Sequence, residues 1–449
     1  MSASKISEVT GSKLRRTLTV WDLVFYGLIV IQPTAPMPIF GVVSKVARGH
    51  VVTTILIAMV AMLLTAVSYG RMARVYPSAG SAYAYVRAEF GSFAGYLTGW
   101  GIVLDYLLNP LICTIWCSKA AANIVPIPYV VWVVFFALLF TLLNLRGIET
   151  SAVINRWLAI AMSCVVVYML ICMGRYLAGT GPSGPDFFTK PFYNPETFSV
   201  SAVFTGTSIA ALTYIGFDSI STLSEEVVNP QKNILRATVL TCLATGIFSA
   251  IEVYAGQLVW PNFSHYPDLD TAYSFVAGRA GGRFLFHLVN GTLLVATIGS
   301  GMGSQLGAAR LLYGMGRDNA LPARFFGHVD SKTKIPSYNV MFSGAVALVG
   351  ALSLTYQLGA ELLNFGAFLA FSGVNLSVFM HYFVRGKNRH WSYLVLPLAG
   401  CAVCLYIWSS LRWQAKLLGF TWLCLGAAYG LIRRRNLRER PLVPTPPPL

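Results

Sequence analysis

Charged side chains are scarce in this sequence of 449 residues: they make up 11% of it, whereas 55% of the residues are hydrophobic. Soluble domains carry about 25% charged residues, so this chain lacks the polar surface that water requires. Polar linkers long enough to separate soluble domains are also missing between the apolar stretches, which recur from Val20 to Ile432. These deficits exclude a soluble enzyme, a disordered chain and a disulfide-rich secreted module. They indicate an all-α polytopic membrane protein.

Motifs for metal, redox or nucleotide chemistry are missing as well. The eight cysteines all fall inside apolar stretches, and their spacing fits neither a disulfide framework nor a zinc site. The sequence contains no Walker motif, so gradients or exchange must supply the energy for any transport. The polar N-terminus and the Pro-rich first apolar stretch argue against a cleavable signal peptide. We therefore expect no cofactor, no metal and no enzymatic activity.

Twelve apolar stretches are long enough to be transmembrane helices, since one span needs about 20 mostly apolar residues. The third and the eighth are over-long, which predicts tilt or extension beyond the bilayer. The division between the ninth and the tenth, near 357–359, is the least distinct. The predicted spans are 20–44, 51–75, 91–122, 127–144, 152–177, 199–224, 236–259, 284–315, 338–356, 359–384, 391–411 and 415–432.

The net charge of +16 comes from basic residues that lie in short clusters between apolar stretches. This distribution predicts membrane orientation rather than a nucleic-acid partner. If both termini share one side, 24 of the 33 Lys and Arg lie there. We therefore expect cytoplasmic tails at 1–19 and 433–449, in a protein of the bacterial plasma (inner) membrane surrounded by lipid.

The first span carries three prolines within six residues, Pro33, Pro36 and Pro38. Each proline removes a backbone donor and clashes with the preceding turn. In lipid, such an interruption is tolerated only where the freed carbonyls face protein, water or a ligand. A simple kink is the alternative, but Gln32 and Thr34 favour an unwound segment that lines a cavity.

The sixth span contains Gly216, Asp218 and Ser219, and an acid at this depth costs about 2.5–3.5 kcal/mol on insertion scales. We predict non-helical backbone at 32–37 and 215–219, with both interruptions facing one cavity. Interruptions five helices apart are typical of inverted-repeat secondary transporters, which bind substrate at the midplane. The two halves share no detectable identity, so the repeat is inferred from the interruptions alone.

Several segments resemble the amino acid–polyamine–organocation (APC) superfamily, and within it the bacterial putrescine importers. The resemblance implies a core of ten helices at 20–385, built from inverted repeats at about 20–178 and 199–385, and two peripheral helices at 391–432. It also implies alternating-access transport of amines or amino acids. The similar segments are 68–71, 77–83, 99–106, 214–226, 229–230, 310–319 and 364–371.

The chain departs from the pattern of these relatives at two positions. Putrescine importers have an acid where this chain has Pro38, and amino acid carriers hold the substrate carboxylate with backbone N–H groups of the first interruption. This chain loses three such donors to proline and keeps those of Thr34, Ala35, Met37 and Ile39, so neither pattern is matched cleanly. The lysine of several proton-coupled relatives corresponds to Met162.

Acidic and aromatic side chains inside the spans are the main candidates for binding. Asp105 and Asp218 would hold an ammonium group; a structural pair of Asp105 with Lys119 would have to bridge about 21 Å of helix. Aromatic rings would stack on a cation, although packing is their commoner role, and glycines and Ser304 in the eighth span first suggest close helix packing. The predicted substrate-binding residues are Gln32, Thr34, Ala35, Met37, Asp105, Tyr106, Tyr214, Phe217, Asp218, Ser219 and Ser304.

Three further acids are candidates for gating or coupling. Glu225 and Glu226 form a charge cluster at the end of the sixth span, where a structural role is favoured over substrate contact. Glu252 is a lone acid in the seventh span and would be a protonation site, unless it approaches the outer interface.

These observations favour a secondary active transporter for a small amine or amino acid, with a putrescine-like cation preferred. Its partners would be the substrate, membrane lipid, and a coupling proton or a counter-substrate. A neutral amino acid exchanger is the alternative of the same class. A membrane enzyme is disfavoured because the short cytoplasmic loops carry no catalytic constellation, and a sensor because both tails are too short for a signalling domain.

Overall fold

The fold is all-helical in the part of the chain that the computed structural model describes. That part comprises residues 18–76, 81–146, 152–181, 184, 186–224, 227–317, 321–330, 335–386 and 390–432. Among these residues the only extended pairing is an isolated bridge between Leu18 and Val227. It joins the segment before the first helix to the segment that follows the sixth predicted span.

Sixteen helices are formed within the described residues. They are α1 (Val20–Ile31), α2 (Phe40–Val46), α3 (Val51–Val75), α4 (Ser81–Phe90), α5 (Ser92–Ala122), α6 (Tyr129–Leu145), α7 (Ala152–Thr180), α8 (Val200–Ala210), α9 (Ser219–Thr222), α10 (Pro230–Val259), α11 (Ala272–Arg317), α12 (Ala323–Phe326), α13 (Ser337–Ser353), α14 (Tyr356–Val378), α15 (Ser392–Ser409) and α16 (Trp413–Ile432).

Nine helical segments of the described chain are long and apolar enough to cross a membrane, and α1, α6 and α13 are shorter apolar helices. Together they follow the predicted spans closely. The over-long eighth span corresponds to α11, whose 46 residues are kinked by non-helical backbone at Gly281 and Gly282. The ninth and tenth spans divide at Leu354–Thr355, where the Thr355 side chain accepts from the Leu358 N–H and caps α14.

The first predicted interruption separates α1 from α2. A capping box of Thr19 and Asp22 starts α1, and Gln32 ends it with a φ of 72°. The chain then turns until Phe40, where α2 begins. Pro33, Pro36 and Pro38 have no backbone N–H and cannot donate helical hydrogen bonds. The helix therefore ends where the sequence predicts it.

The second interruption separates α8 from α9. A single 3-10 turn at Ala211–Tyr214 follows α8, and Gly216 has a φ of 116°, which L residues rarely adopt. A Cβ atom at Gly216 would lie 2.9 Å from Val30 Cγ1 of α1. Glycine therefore permits both the turn and the close approach of the two interrupted helices.

Close approaches between helix backbones also determine how the core packs. The Cβ positions of Gly101 in α5 and Gly366 in α14 face each other's helix, and a Cβ at Gly366 would lie 2.3 Å from the Gly101 carbonyl oxygen. Likewise, Gly70 of α3 lets the backbone of α10 approach closely at Leu235. Small residues thus let long helices pack tightly, as membrane interfaces favour.

Candidate functional site

A cavity of about 640 Å³ lies between the two interruptions. Both interrupted segments line it, together with α5, α7 and α11, so the expectation that the interruptions face one cavity agrees with the geometry. A volume of this size accommodates a small organic molecule. The predicted binding residues that line it are Gln32, Thr34, Ala35, Asp105, Tyr106, Asp218, Ser219 and Ser304.

The first interruption is held to α11 by the side chain of Gln32. Its Nε2 donates to the Ala296 carbonyl oxygen at 2.9 Å. Inside the turn, the Ala35 N–H donates to the Gln32 oxygen at 3.2 Å and the Met37 N–H to the Thr34 oxygen at 3.1 Å. Because these two N–H groups satisfy the turn itself, they do not offer a substrate carboxylate the donors that amino acid carriers use.

The second interruption satisfies its own backbone as well. The Ser219 hydroxyl and N–H both donate to the Gly216 carbonyl oxygen, at 2.5 and 3.1 Å. The Ser221 hydroxyl donates to the Asp218 carbonyl oxygen at 2.7 Å. These bonds fix the turn and leave the Asp218 carboxylate as the charged group that this segment presents to the cavity.

Two carboxylates give the cavity its electrostatic character. Asp105 of α5 and Asp218 interact electrostatically with each other, and both act on the hydroxyl of Tyr106. Arg310 of α11 also lines the cavity. Lys119 does not approach Asp105, because its Nζ pairs with Asp270 at 2.5 Å at the other end of α5. Two nearby acids in a cavity inside the helix bundle suit a cationic ligand.

Three predicted binding residues lie in the packed core instead of the cavity. Met37 is 2% exposed. The Tyr214 hydroxyl donates to the Ile55 carbonyl oxygen at 2.8 Å, so its ring fills the interface with α3. Phe217 packs edge-on against Tyr69, with 5.5 Å between ring centroids. Side chains that alternate around a turn cannot all face the cavity, and these three point away from it.

The other predicted residues are Ser304 and the three candidates for gating or coupling. The Ser304 hydroxyl donates to the Ser300 carbonyl oxygen at 2.8 Å within α11, while its residue lines the cavity. Glu252 is buried in α10 away from the cavity lining. Glu225 and Glu226 fall outside the described residues.

Several lining residues carry no signal in the sequence. Asn144, near the end of α6, reaches the cavity while its Nδ2 donates to the Met302 carbonyl oxygen at 3.1 Å. Asn109 and Tyr356 line the cavity as well. Amides and tyrosines are common in membrane helices, so only the assembled structure distinguishes these positions.

The lining reaches toward both ends of the helices. It includes Ala159 of α7 and Arg310 of α11 toward the side where α1 begins, and Trp116 of α5 and Tyr356 of α14 toward the opposite side. There, Trp116 Nε1 donates to the Asp270 carbonyl oxygen at 2.7 Å and joins α5 to the segment before α11. Burial raises the pKa of the Asp270 carboxyl, although its pairing with Lys119 acts in the other direction.

The buried carboxylate of Glu89 connects α4 to the π-helical end of the tenth span. The Glu89 carboxylate accepts from Tyr76 Oη at 3.0 Å and from Arg385 Nη1 at 3.1 Å. Its other close partner is His381 Nδ1 at 2.8 Å. Burial and the Glu89 charge raise the pKa of Tyr76, so this phenol remains a donor. The sequence analysis did not identify this cluster because its members are distant in the chain.

The amino acid permease family model matches residues 34–421. The chain belongs to the amino acid permease family. This places it in the APC superfamily, as the resemblance indicated. The match begins within the first interruption and includes the second, with α5, α7 and α11 of the cavity lining.

Three relatives cover nearly the same length. The low-affinity putrescine importer PlaP of Escherichia coli (strain K12) is 35% identical over 444 residues, 96% of either chain. The branched-chain amino acid permease BcaP of Lactococcus lactis subsp. cremoris is 28% identical over 459 residues, 94% of this chain and 96% of the relative. The methylthioribose transporter of Bacillus subtilis is 25% identical over 462 residues, 95% of either chain. This permease is therefore an integral membrane transporter of small molecules and not an enzyme.

Proposed function

We propose that this permease is a secondary active transporter that moves a small organic cation, such as a diamine, across the bacterial inner membrane by alternating access. The observation that carries the proposal is the pair of carboxylates, Asp105 and Asp218, in one cavity between two interrupted helices. Each carboxylate would accept hydrogen bonds from an ammonium group, and Tyr106 offers a ring beside them. The similarity to a putrescine importer supports the same substrate class.

The architecture supports alternating access. Interrupted helices place flexible backbone at the cavity, where two five-helix repeats, at about 20–178 and 199–385, would rock against each other. The two helices at 391–432 would remain peripheral. In this proposal the side on which α1 begins is the cytoplasm, which also holds both tails, because the basic residues concentrate there.

A neutral amino acid exchanger is the second candidate. The similarity to a branched-chain amino acid permease favours it, as does Arg310 in the lining, whose guanidinium suits a substrate carboxylate. The two candidates differ in what Asp218 does. A cation needs its charge directly, whereas a neutral amino acid balances its own ammonium group with its carboxylate.

The test is a thermal-shift measurement on the purified full-length protein with putrescine or alanine, for the wild type and Asp218→Asn. A ligand that binds the folded state raises the melting temperature by mass action. A hydrogen bond to a charged partner contributes about 1.5–3 kcal/mol, so Asp218→Asn should weaken putrescine binding about ten- to a hundredfold. The exposed loop variant Asp186→Asn is the matched control and should bind like the wild type.

Stabilisation of the wild type by putrescine, and its loss in Asp218→Asn alone, would support cation transport. Stabilisation by alanine but not by putrescine would favour the exchanger. If putrescine stabilises Asp218→Asn as strongly as the wild type, Asp218 does not hold the cation and the assignment of the site is wrong.

A further inference from the structure

The side chain of Glu252, on α10, is buried, and its Oε2 has no hydrogen-bond partner among the described residues. The residue is 1% exposed. An unpaired charge is strongly disfavoured in such surroundings, which favour the protonated carboxyl.

The titratable groups on the neighbouring elements are engaged elsewhere or exposed. From α11, the Tyr273 hydroxyl donates to the Glu252 backbone oxygen at 2.7 Å, and Arg279 Nε contacts the Tyr176 hydroxyl of α7 at 3.0 Å. Before α3, His50 uses Nδ1 toward the Ala47 carbonyl oxygen and Nε2 toward the Asn194 N–H. In α2, Ser44 shares a hydrogen bond with Tyr266, and Lys45 is exposed.

A row of buried hydroxyl groups continues from Glu252 along the same face of α10. Ser249, Thr245 and Thr241 follow at intervals of three or four residues, which places them one above another on a helix. They are 3%, 5% and 0% exposed. The Thr241 hydroxyl is buried with no partner among the described residues, so it is available to a mobile proton or water. A hydroxyl both donates and accepts, as proton transfer along a chain requires.

The row ends beside the interrupted helices. A Cβ atom at Gly27 of α1 would lie 2.9 Å from the Thr241 hydroxyl oxygen and 2.7 Å from Ile220 of α9. The next residue, Cys242, interacts electrostatically with Asp218. From Glu252 to Thr241 the row spans about 16 Å along the helix axis. It therefore joins a buried acid on the outer side to the level of the carboxylate in the cavity.

We propose that Glu252 is a proton-binding site, separate from the substrate cavity, and that Ser249, Thr245 and Thr241 connect it to the interrupted helices. This inference rests on the proposed transport function and names a proton as the coupled ion. A proton from outer water forms the O–H bond of the Glu252 carboxyl. When the bond breaks, the hydroxyl row passes a proton to water in the cavity, and the carboxylate accepts the next one from outside.

The position of Glu252 suggests how its protonation depends on conformation. Gly256 lies one turn beyond Glu252. A Cβ atom at Gly256 would lie 2.9 Å from Tyr273 and 3.4 Å from Phe40 of α2. Motion of α2, which alternating access requires, would open this contact and admit water to the carboxyl. The proton would then exchange only in the outward state, which links its movement to that of the substrate.

The experiment compares two modes of transport in proteoliposomes of the full-length protein. One is counterflow of radiolabelled putrescine, which needs no net proton movement. The other is uptake driven by an acidic exterior, with the membrane potential clamped. If one proton is coupled, a gradient of one pH unit should raise the accumulation of putrescine by the wild type about tenfold. Glu252→Gln mimics the protonated acid and should retain counterflow while losing the response to the gradient.

Thr245→Val interrupts the hydroxyl row without removing the acid. It should slow gradient-driven uptake and leave counterflow unchanged. The controls are Glu196→Gln, an exposed acid between α7 and α8, and Thr292→Val, whose hydroxyl donates to the Leu288 carbonyl oxygen within α11. Both controls should respond to the gradient like the wild type. If Glu252→Gln does not reconstitute, Glu252→Asp retains an acid and should keep part of the response.

Three results would overturn the proposal: wild-type uptake that an acidic exterior does not raise, a Glu252→Gln variant that still responds to the gradient, or a Thr245→Val variant whose gradient-driven uptake equals that of the wild type. Infrared difference spectroscopy separates this inference from the proposed function. A protonated carboxyl band at neutral pH that Glu252→Gln lacks supports the site even if neither putrescine nor alanine is transported. Identical spectra of the two proteins would refute it.

Discussion

Individual residues of the interrupted segments divide into those that form the cavity and those that hold the segments in place. Asp218 and Ser219 line the cavity, while Phe217 between Gly216 and Asp218 packs into the core. Tyr214 likewise serves the fold through its bond to Ile55. The sequence singles out the two acids that line the cavity, Asp105 and Asp218, because a carboxylate inside a span is costly and rare. It cannot distinguish the aromatics, because packing and cation binding favour the same side chains.

Substitution of Tyr214 tests this division. Tyr214→Phe removes the hydrogen bond that the Ile55 carbonyl oxygen accepts in addition to its bond within α3, which should cost about 0.5–1.5 kcal/mol of stability. The melting temperature should fall, while the affinity for putrescine stays at the wild-type value. Tyr168→Phe, at an exposed position of α7, should change neither quantity. A variant with normal stability and tenfold weaker binding would show that Tyr214 contacts the substrate.

At the level of helices, most boundaries could be predicted because apolar length and proline are strong local signals. The interruption at residues 32–39 follows directly from Pro33, Pro36 and Pro38. The helix α4 was not predicted, since its ten residues include Arg87 and Glu89 and are too polar for a span. The pairing of Glu89 with His381 and Arg385 depends on tertiary contacts that join distant segments, and no periodicity reveals them.

Glycine at the second interruption provides a test at this scale. In Gly216→Ala, the side chain would meet a φ of 116° and the methyl groups of Val30, so the turn must shift. We expect lower stability and loss of counterflow. Gly291→Ala is the control, because nothing lies within 4 Å of its Cβ position in α11 and alanine favours the helix by about 0.5–1 kcal/mol. Equal activity of the two variants would mean that the special backbone at Gly216 is not required.

For the whole molecule, the distribution of charge predicts one orientation. The cavity is lined by residues toward both ends of the helices, while most Lys and Arg fall in the loops and tails on the side where α1 begins. The positive-inside rule therefore predicts that this side is cytoplasmic. The 5+5 repeat remains a prediction, since the two halves share no sequence identity that would establish it.

Reporter fusions test this orientation. A phosphatase that is active only in the periplasm should be inactive when it is fused after Leu449, and a cytoplasmic fluorescent reporter should be active there. A fusion in the loop around Glu196, between α7 and α8, should behave in the opposite way. Phosphatase activity at the C-terminal fusion would show that the topology is the reverse of the predicted one.

The central claim is that the cavity between the two interruptions transports a small cation. Counterflow measures this most directly, because proteoliposomes loaded with unlabelled putrescine accumulate external radiolabelled putrescine only if the carrier binds and moves it. We predict accumulation by the wild type, competition by excess diamine but not by alanine, and loss in Asp218→Asn. Accumulation of radiolabelled alanine with no movement of putrescine, or unchanged putrescine counterflow in correctly folded Asp218→Asn, would contradict the account.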